Sequence, residues 1–344
     1  MANFVSPEYS RKQVSKAGNR ISAGNGTVDD YVILENWRAS HAWVINTFQV
    51  NLRRRSRGNS IVVGTRLKRR PTILNKLQRY PNMQLGRMHD IAGCRVIFPT
   101  MKDLLDFRSS LHRAKFAHDR RSIDEEKWNY ISFPKKDGYR GIHDLYEYAS
   151  RSSQGADWRG LLIKIQYRTL LQHSWATAVE VSGLLTHNNP KFGQGAPEFV
   201  EFFAVASEIL ARHFEGMTSC FPTEDIVLLK NRLLELENQT RIIQLFKSVN
   251  SKIVSIDFRK NNILIFPLIG RSGSQREGEL QILSFDYLPT AISKYNELEI
   301  QRAEEADIVL VRADNFANLR STFRNYFADT TEFVQSIEVS LEAI

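Results

Sequence analysis

Four stretches of this 344-residue chain place charged, aromatic and glycine residues where they could bind a phosphorylated ligand. In the first, RLKRRPTILNKL at 66–77, basic side chains precede and enter a predicted helix: Arg66, Lys68, Arg69, Arg70 and Lys76, with Thr72 near the helix start. A helix N-terminus attracts phosphate through its free N–H groups and its dipole, and nearby cations strengthen that attraction. This stretch therefore predicts a triphosphate site, although a nucleic-acid-binding surface has the same composition.

The second stretch is HDIAGCRVIF at 89–98, in which Asp90 precedes a glycine-containing turn into a predicted strand. Asp90 is the first carboxylate after 54 residues without one (36–89). It could ligate Mg²⁺, which prefers oxygen ligands and bridges phosphates. A salt bridge or a helix cap is the alternative, and this segment taken alone favours the alternative.

The third stretch, FPKKDGYRGIH at 133–143, places basic and aromatic side chains around a glycine turn, namely Lys135, Lys136, Tyr139, Arg140 and His143. A tyrosine on a turn can stack on a nucleobase while basic residues hold phosphates. A β-turn with an exposed aromatic ring would look the same.

The fourth stretch, IKIQYRT at 163–169, alternates in the manner of a strand. The alternation places Leu162, Lys164, Gln166 and Arg168 on one face, and Ile163, Ile165 and Tyr167 on the other. Three polar side chains in a row on one face favour a binding site over a core, and an exposed edge strand is the alternative.

The surrounding charge supports an anionic ligand. The acid-free window 36–89 holds twelve Lys or Arg residues, whereas the whole chain has a formal charge of +9, so the rest of the chain is net negative. Such a local excess of positive charge predicts a polyanionic partner, which could be RNA or tRNA. A solvated basic helix face is the alternative reading.

Periodicity assigns the elements that would hold these residues. Helices are predicted at 28–55, 71–80, 101–114, 170–185, 198–214 and 225–246, and strands at 94–98, 143–150 and 161–169. Strands at 251–258, 262–269 and 278–286, a helix at 289–306, a strand at 307–313 and a helix at 315–343 predict a smaller C-terminal α+β module. The predicted domains are a flexible arm (1–27), a first domain (28–190), a helical extension (191–249) and the module (250–344).

Taken in order, the four stretches resemble the synthetase domain of the RelA/SpoT family. The resemblance rests on an ordered set of residues: Arg66, Lys68, Thr72 and Lys76; Asp90, Gly93 and Arg95; Lys135, Gly138, Tyr139, Arg140 and His143; Gln166, Arg168 and Thr169; then Trp175 and Ala176. It covers about 40% of the chain and implies an α+β fold, a mixed sheet flanked by helices and related to nucleotidyltransferases.

The resemblance also implies an activity, the Mg²⁺-dependent transfer of pyrophosphate from ATP to the 3′-hydroxyl of GDP or GTP. ATP phosphates would be bound by Arg66, Lys68, Thr72, Lys76 and Arg95, and Mg²⁺ by Asp90. The guanine nucleotide would contact Lys135, Tyr139, Arg140, His143, Gln166 and Arg168, with the Tyr139 ring stacked on the base. Such chemistry depends mainly on positioning and charge neutralisation.

One position departs from the family pattern. The family has glutamate two residues before Gln166, as a metal ligand and a base, and this chain has Lys164. Lysine would repel Mg²⁺ and could bind phosphate instead, and Asp144 or Glu147 could substitute if either reached the site. Three hypotheses follow: an alarmone synthetase, a degenerate synthetase that binds nucleotide or RNA, and a toxin or defence protein that modifies another acceptor such as tRNA.

Other sequence features bear on the location of the protein and on its further domains. The sequence shows no apolar run long enough to span a membrane and no secretory signal pattern. Cys94 and Cys220 indicate neither a disulfide framework nor a zinc site, which favours the cytoplasm. Long members of the family have a hydrolase domain before the synthetase domain. Only about 50 residues precede the matching region here, so a short synthetase without that domain is expected. The sequence leaves open a homo-oligomer and the role of the C-terminal module.

Overall fold

The computed structural model describes residues 4–114, 117–186, 196–248, 261–267, 281–302, 306–312 and 330–344. Its helices are α1 (Arg11–Ser22), α2 (Val28–Ser56), α3 (Arg70–Arg79), α4 (Met101–Arg113), α5 (Glu125–Trp128), α6 (Leu170–Thr186), α7 (Pro197–Glu215), α8 (Ile226–Thr240), α9 (Ile242–Ser248), α10 (Leu288–Gln301) and α11 (Thr331–Ala343). Its strands are β1 (Val62–Leu67), β2 (Ala92–Phe98), β3 (Asp119–Arg120), β4 (Ile142–Glu147), β5 (Leu162–Thr169), β6 (Asn261–Pro267), β7 (Gln281–Phe285) and β8 (Ala306–Arg312).

The strands form one mixed sheet in the order β3-β4-β5-β2-β1-β8-β6-β7. β2 and β5 run parallel, and the other neighbours run antiparallel. The predicted α+β class, with a mixed sheet flanked by helices, is confirmed by the five strands β1–β5 and their helices.

The strands of the C-terminal module extend this same sheet. β8 pairs with β1 at Thr65↔Arg312 and Arg66↔Val311. Ile263 and Ile308 belong to one hydrophobic core with Val63. The module is thus joined to the first domain by sheet and core, and the domain boundaries themselves stay predictions.

Helix α2 packs against the sheet and buries Trp37, Phe48 and Leu52. Thr27 caps it as predicted, since its hydroxyl accepts a hydrogen bond from the Asp30 N–H while the Asp30 carboxylate accepts from the Thr27 N–H. This reciprocal cap satisfies two N–H groups that a helix start leaves without intrahelical partners.

The prediction of a flexible arm over 1–27 is wrong. Residues 11–22 form α1, which begins with a capping box between Ser10 and Gln13 and buries Val14, Ala17 and Ile21. Those apolar residues recur at helical spacing, which gives the polar segment one buried face. The arm therefore contributes to the core.

The segment predicted as one helix over 225–246 is two helices. Arg241 adopts a left-handed conformation with φ of 52°, which ends α8 before α9 begins. The strand predicted at 251–258 lies outside the described residues, and of the last predicted helix only Thr331–Ala343 is described. Among the described residues no helix is long and apolar enough to cross a membrane.

Candidate functional site

The predicted functional side chains of β5 lie on one face of the sheet. Lys164 and Gln166 are partly exposed, whereas Ile163, Ile165 and Tyr167 are fully buried, so the predicted alternation is confirmed. Tyr146 pairs with Ile163, and its ring packs on Phe48 of α2. Helix α2 therefore covers the apolar face and leaves the polar face of β5 to other groups.

Strand register places a glycine between two cations on this polar face. Gly93 of β2 pairs with Arg66 of β1 on one side and with Lys164 of β5 on the other. Directly paired residues point to the same face of a sheet. A methyl group at Gly93 would meet only the Arg66 carbonyl oxygen, at 3.7 Å. The sheet thus has a gap above Gly93, flanked by Arg66 and Lys164.

The adjacent row across the sheet contains other predicted residues. Arg95 pairs with Gln166, and Gln166 pairs in turn with His143 of β4. Arg95 is largely buried. Thr72 lies in the first turn of α3 and is partly exposed. Pro71 occupies the first turn of that helix, as its sequence position predicted.

Asp90 is held between two lysines. Its Oδ2 lies 3.0 Å from Lys68 Nζ and its Oδ1 lies 2.9 Å from Lys76 Nζ, so each carboxylate oxygen accepts a hydrogen bond from an ammonium group. Burial alone would raise the pKa of Asp90, but the positive charges of Lys164, Lys68 and Lys76 hold that pKa well below its usual range. Asp90 is therefore ionised and already paired.

Lys164 belongs to the same cluster. Burial, reinforced by repulsion from Lys68, Lys76 and Arg168, lowers the pKa of Lys164 to about 7, although Asp90 opposes the shift. Burial, reinforced by repulsion from Arg66 and Lys76, lowers the pKa of Lys68 to about 8, again against the effect of Asp90. A surplus of positive charge in one small volume is relieved by an anion.

Neither carboxylate suggested as a replacement for the family glutamate reaches this cluster. Asp144 pairs with Ile165, so it lies on the apolar face, where Arg108, His112 and Ser122 bind it. Glu147 is at the end of β4 and binds Arg121. Leu145 is the β4 residue directly beside Lys164.

The residues around Asp90 do not fit a Mg²⁺ ion. Mg²⁺ takes oxygen ligands in octahedral geometry, and ammonium groups cannot ligate it. Both Asp90 oxygens are occupied by lysines, and Lys164 adds a third positive charge nearby. Across the described ranges no group of three His, Cys, Asp or Glu side chains could hold a metal ion.

A second cluster brings together the residues predicted for the acceptor nucleotide. The Tyr139 hydroxyl lies 2.7 Å from His143 Nε2 and accepts a hydrogen bond from Arg168 Nη2 at 2.9 Å. Gln166 Nε2 lies 3.3 Å from His143 Nε2, and Lys135 Nζ lies 5.3 Å from the centre of the Tyr139 ring. Burial, reinforced by Lys164, Arg168 and Lys135, lowers the pKa of His143 well below its ordinary value, so this imidazole is neutral.

Arg140 points away from that cluster. Its guanidinium pairs with Glu215 of α7, and both side chains are almost fully buried. Glu215 also accepts hydrogen bonds from Thr169 Oγ1 at 2.7 Å and from Gln172 Nε2 at 3.0 Å. The structure thus places Arg140 in a buried ion pair that anchors α7 to the sheet.

Helix α10 of the C-terminal module contacts the start of α3. Glu299 Oε2 accepts a hydrogen bond from the Arg70 backbone N–H at 2.9 Å. Arg38, fully buried on α2, donates to the Lys68 carbonyl oxygen at 2.8 Å and to Asn296 Oδ1 at 2.6 Å. Because Arg38 is buried, it adds no positive charge to the protein surface formed by residues 36–89. Glu299 places a carboxylate beside this window, which has no Asp or Glu of its own.

Sequence reasoning missed several of these residues. Tyr130 lies 5.5 Å from Tyr139 and 5.1 Å from His143 between ring centres. His89 stands next to Asp90, and burial lowers its pKa to about 4. In the sequence, His89 is marked only by its position next to the D-I-A-G motif. No sequence pattern indicates Glu215 or Glu299, because each lies on a helix far from the four stretches.

Comparison with known proteins supports the order of these motifs. Residues 65–184 match the family model described as "Region found in RelA / SpoT proteins". Residues 65–184 therefore form a RelA/SpoT-type domain. The match begins in β1 and ends in α6, and it includes every predicted site residue from Arg66 to Arg168.

Several solved structures resemble this chain. Small alarmone synthetase 1 from Bacillus subtilis, bound to its product pppGpp, is 24% identical, and the alignment covers 50% of this chain and 88% of that one with a TM-score of 0.40. Small alarmone synthetase 2 from the same organism is 22% identical, with 51% and 89% covered and a TM-score of 0.39. A GTP pyrophosphokinase family protein from Streptococcus pneumoniae is 20% identical, with 64% and 94% covered and a TM-score of 0.35. No protein of curated function matches the chain.

Proposed function

We propose that the RelA/SpoT-type domain binds a purine nucleoside triphosphate across the polar face of its sheet and does not transfer pyrophosphate. The observation that carries the proposal is the charge around Asp90, the carboxylate expected to work with Mg²⁺: it is paired with Lys68 and Lys76, and Lys164 adds a third positive charge. Lys164 stands where the family has its second carboxylate, and Asp144 and Glu147 lie elsewhere.

The polyphosphate would lie above Gly93, with Arg66, Lys68, Lys76 and Lys164 around it. Each ammonium or guanidinium that contacts a phosphate oxygen forms a charge-assisted hydrogen bond, which is stronger than a neutral one. The aromatic cluster of Tyr130, Tyr139 and His143 would receive a second nucleotide's base. ATP and a guanine nucleotide are thus the proposed ligands.

The test combines binding with product analysis. The protein should bind ATP in a titration calorimeter, yet incubation with radiolabelled ATP and GDP, GTP or tRNA should leave the acceptor unlabelled. A pyrophosphorylated acceptor would contradict the absence of transfer. Absence of any ATP binding would contradict the whole proposal, and salt-sensitive RNA binding in its place would favour the nucleic-acid hypothesis.

A second candidate is pyrophosphate transfer with an altered base. Two observations favour it: the acceptor cluster around Tyr139 is assembled, and the pKa of Lys164 is lowered to about 7. A neutral lysine amine can take a proton from a hydroxyl. The 3′-oxygen would then attack the β-phosphorus of ATP and AMP would leave. Lys164→Arg separates the candidates, because arginine keeps the charge for binding but cannot act as the base.

A further inference from the structure

We propose that Lys164, together with Lys68 and Lys76, replaces a divalent cation, so that the domain binds the polyphosphate of a nucleotide without metal. This inference rests on the proposed binding function and specifies the ionic form of its ligand. It predicts that free ATP is bound, and that the Mg²⁺ complex of ATP is not the preferred ligand.

The charges of the cluster favour a free polyphosphate over its metal complex. In a two-carboxylate site, a Mg²⁺ ion neutralises both the protein carboxylates and the phosphates. Here one carboxylate, Asp90, faces three lysines, so the protein already supplies the positive charge that a metal would bring. A divalent cation entering this cluster would be repelled by Lys164, whereas the oxygens of a free polyphosphate would be attracted by all three ammonium groups.

The positions of Lys164 and Arg66 also favour a phosphate. Lys164 and Arg66 flank Gly93 in one row across β5, β2 and β1. The gap above Gly93 has no protein atom within van der Waals contact of an added methyl group other than the Arg66 carbonyl oxygen at 3.7 Å. A phosphate in this gap would have a cation on each side. A metal ion in the same gap would also have a cation on each side, which would repel it.

Asp90 holds two of the lysines in place. With each oxygen hydrogen-bonded to a different ammonium, Asp90 orients Lys68 and Lys76 before a ligand arrives. An arrangement that is ordered in advance costs less entropy when the ligand binds. Asp90 is therefore a positioning residue for two phosphate-binding lysines, and its carboxylate is not available to a metal.

The experiment measures the affinity of the full-length chain for ATP in EDTA and again in excess MgCl₂. The expected result is binding in EDTA that is at least as tight as binding in MgCl₂. Binding that requires MgCl₂ would overturn the inference and leave the proposed function standing. No binding in either buffer would overturn both.

Two variants of Lys164 make the result specific to this side chain. Lys164→Met keeps an unbranched stem and should fold, and its affinity for ATP in EDTA should fall about tenfold or more, the effect of losing a charged hydrogen bond. Lys164→Glu restores a second carboxylate beside Asp90, so ATP binding should become dependent on MgCl₂. An unchanged affinity of Lys164→Met in EDTA would overturn the inference.

Lys102→Glu is the matched control for the change of charge. Lys102 is exposed in the first turn of α4. Asp90 precedes β2 and Lys102 follows it, so the length of that strand separates the two residues by on the order of 20 Å. Lys102→Glu changes the charge of the protein by two units, as Lys164→Glu does, but leaves the cluster around Asp90 intact. Equal losses of ATP affinity in Lys102→Glu and Lys164→Glu would show a nonspecific charge effect and overturn the inference.

Discussion

The carboxylate of Glu299 accepts a hydrogen bond from the backbone N–H of Arg70, which joins helix α10 to the first turn of α3. Glu299 is buried and also accepts a hydrogen bond from the Tyr295 hydroxyl at 2.7 Å. Helix α3 carries Lys76 and follows Lys68, the two lysines that bind Asp90. Glu299, more than 200 positions away in sequence, therefore places a negative charge at the start of this helix.

Removing this carboxylate should strengthen ATP binding. In Glu299→Gln the amide oxygen can still accept from the Arg70 N–H, but the negative charge at the start of α3 is gone. A carboxylate near the site repels the phosphates of the ligand, so the affinity for ATP should rise when that charge is removed. Titration calorimetry measures the change. The control is Glu297→Gln, an exposed residue of the same helix that binds Lys294, and an affinity that falls in Glu299→Gln would contradict the expectation.

Substitution of Gly93 should separate folding from binding. An added methyl group meets no close atom, so Gly93→Ala should keep or slightly raise the melting temperature. The same methyl group occupies the space proposed for phosphate, so ATP affinity should fall in Gly93→Ala and fall further in Gly93→Val. Normal affinity in a folded Gly93→Val protein would show that the ligand lies elsewhere.

Gly138 should behave in the opposite way. It has a φ of +84°, and a methyl group there would lie 2.9 Å from Ala204 Cα and from Ser207 Cβ. Gly138→Ala should therefore lower the melting temperature through strain and overlap with α7. A fully stable Gly138→Ala protein would contradict the described packing of the turn on α7.

The Arg140–Glu215 pair should act on stability. Removing one partner of a buried ion pair leaves an uncompensated charge and costs about 3–5 kcal/mol, so Arg140→Met should unfold at markedly lower denaturant concentration. Arg232→Met, which breaks the exposed pair with Glu201, should change little. If Arg140→Met kept its stability and lost only guanine-nucleotide binding, Arg140 would belong to the acceptor site after all.

Nucleotide binding should take up protons near neutral pH. The pKa of Lys164 is lowered to about 7 and that of Lys68 to about 8 in the free protein. A bound polyphosphate favours the charged lysines and raises both pKa values, so affinity should decline as pH rises from 7 to 9. Calorimetry in buffers of different ionisation enthalpy measures the uptake, and Lys164→Met should reduce it. Equal uptake in the variant would exclude Lys164 as the source.

Sequence patterns within one segment correctly predicted the features of the site that depend on that segment alone. The alternation of 162–168 gave the correct face for Lys164 and Gln166, and Pro71 marked the start of α3. Strand β1 was missed because its short apolar run is interrupted by Gly64 and Arg66, and α1 was missed because only a few buried residues define its face.

Pairings between distant segments could not be predicted from such signals. Nothing near Asp90 in sequence indicates that Lys68 and Lys76 occupy both its oxygens, and nothing in 306–312 indicates that β8 pairs with β1. The buried polar contacts of Arg38 with Asn296 and of Arg140 with Glu215 join residues from separate elements. These contacts depend on tertiary packing, which periodicity does not encode.

A crystal structure of the chain with a non-hydrolysable ATP analogue would show which groups bind the polyphosphate. The decisive measurement is the distance from Lys164 Nζ to the nearest phosphate oxygen. The polyphosphate is expected above Gly93, within hydrogen-bond distance of Lys164, and with no metal ion between Asp90 and the phosphates. A metal ion ligated by Asp90, or a polyphosphate that avoids Lys164, would contradict this expectation.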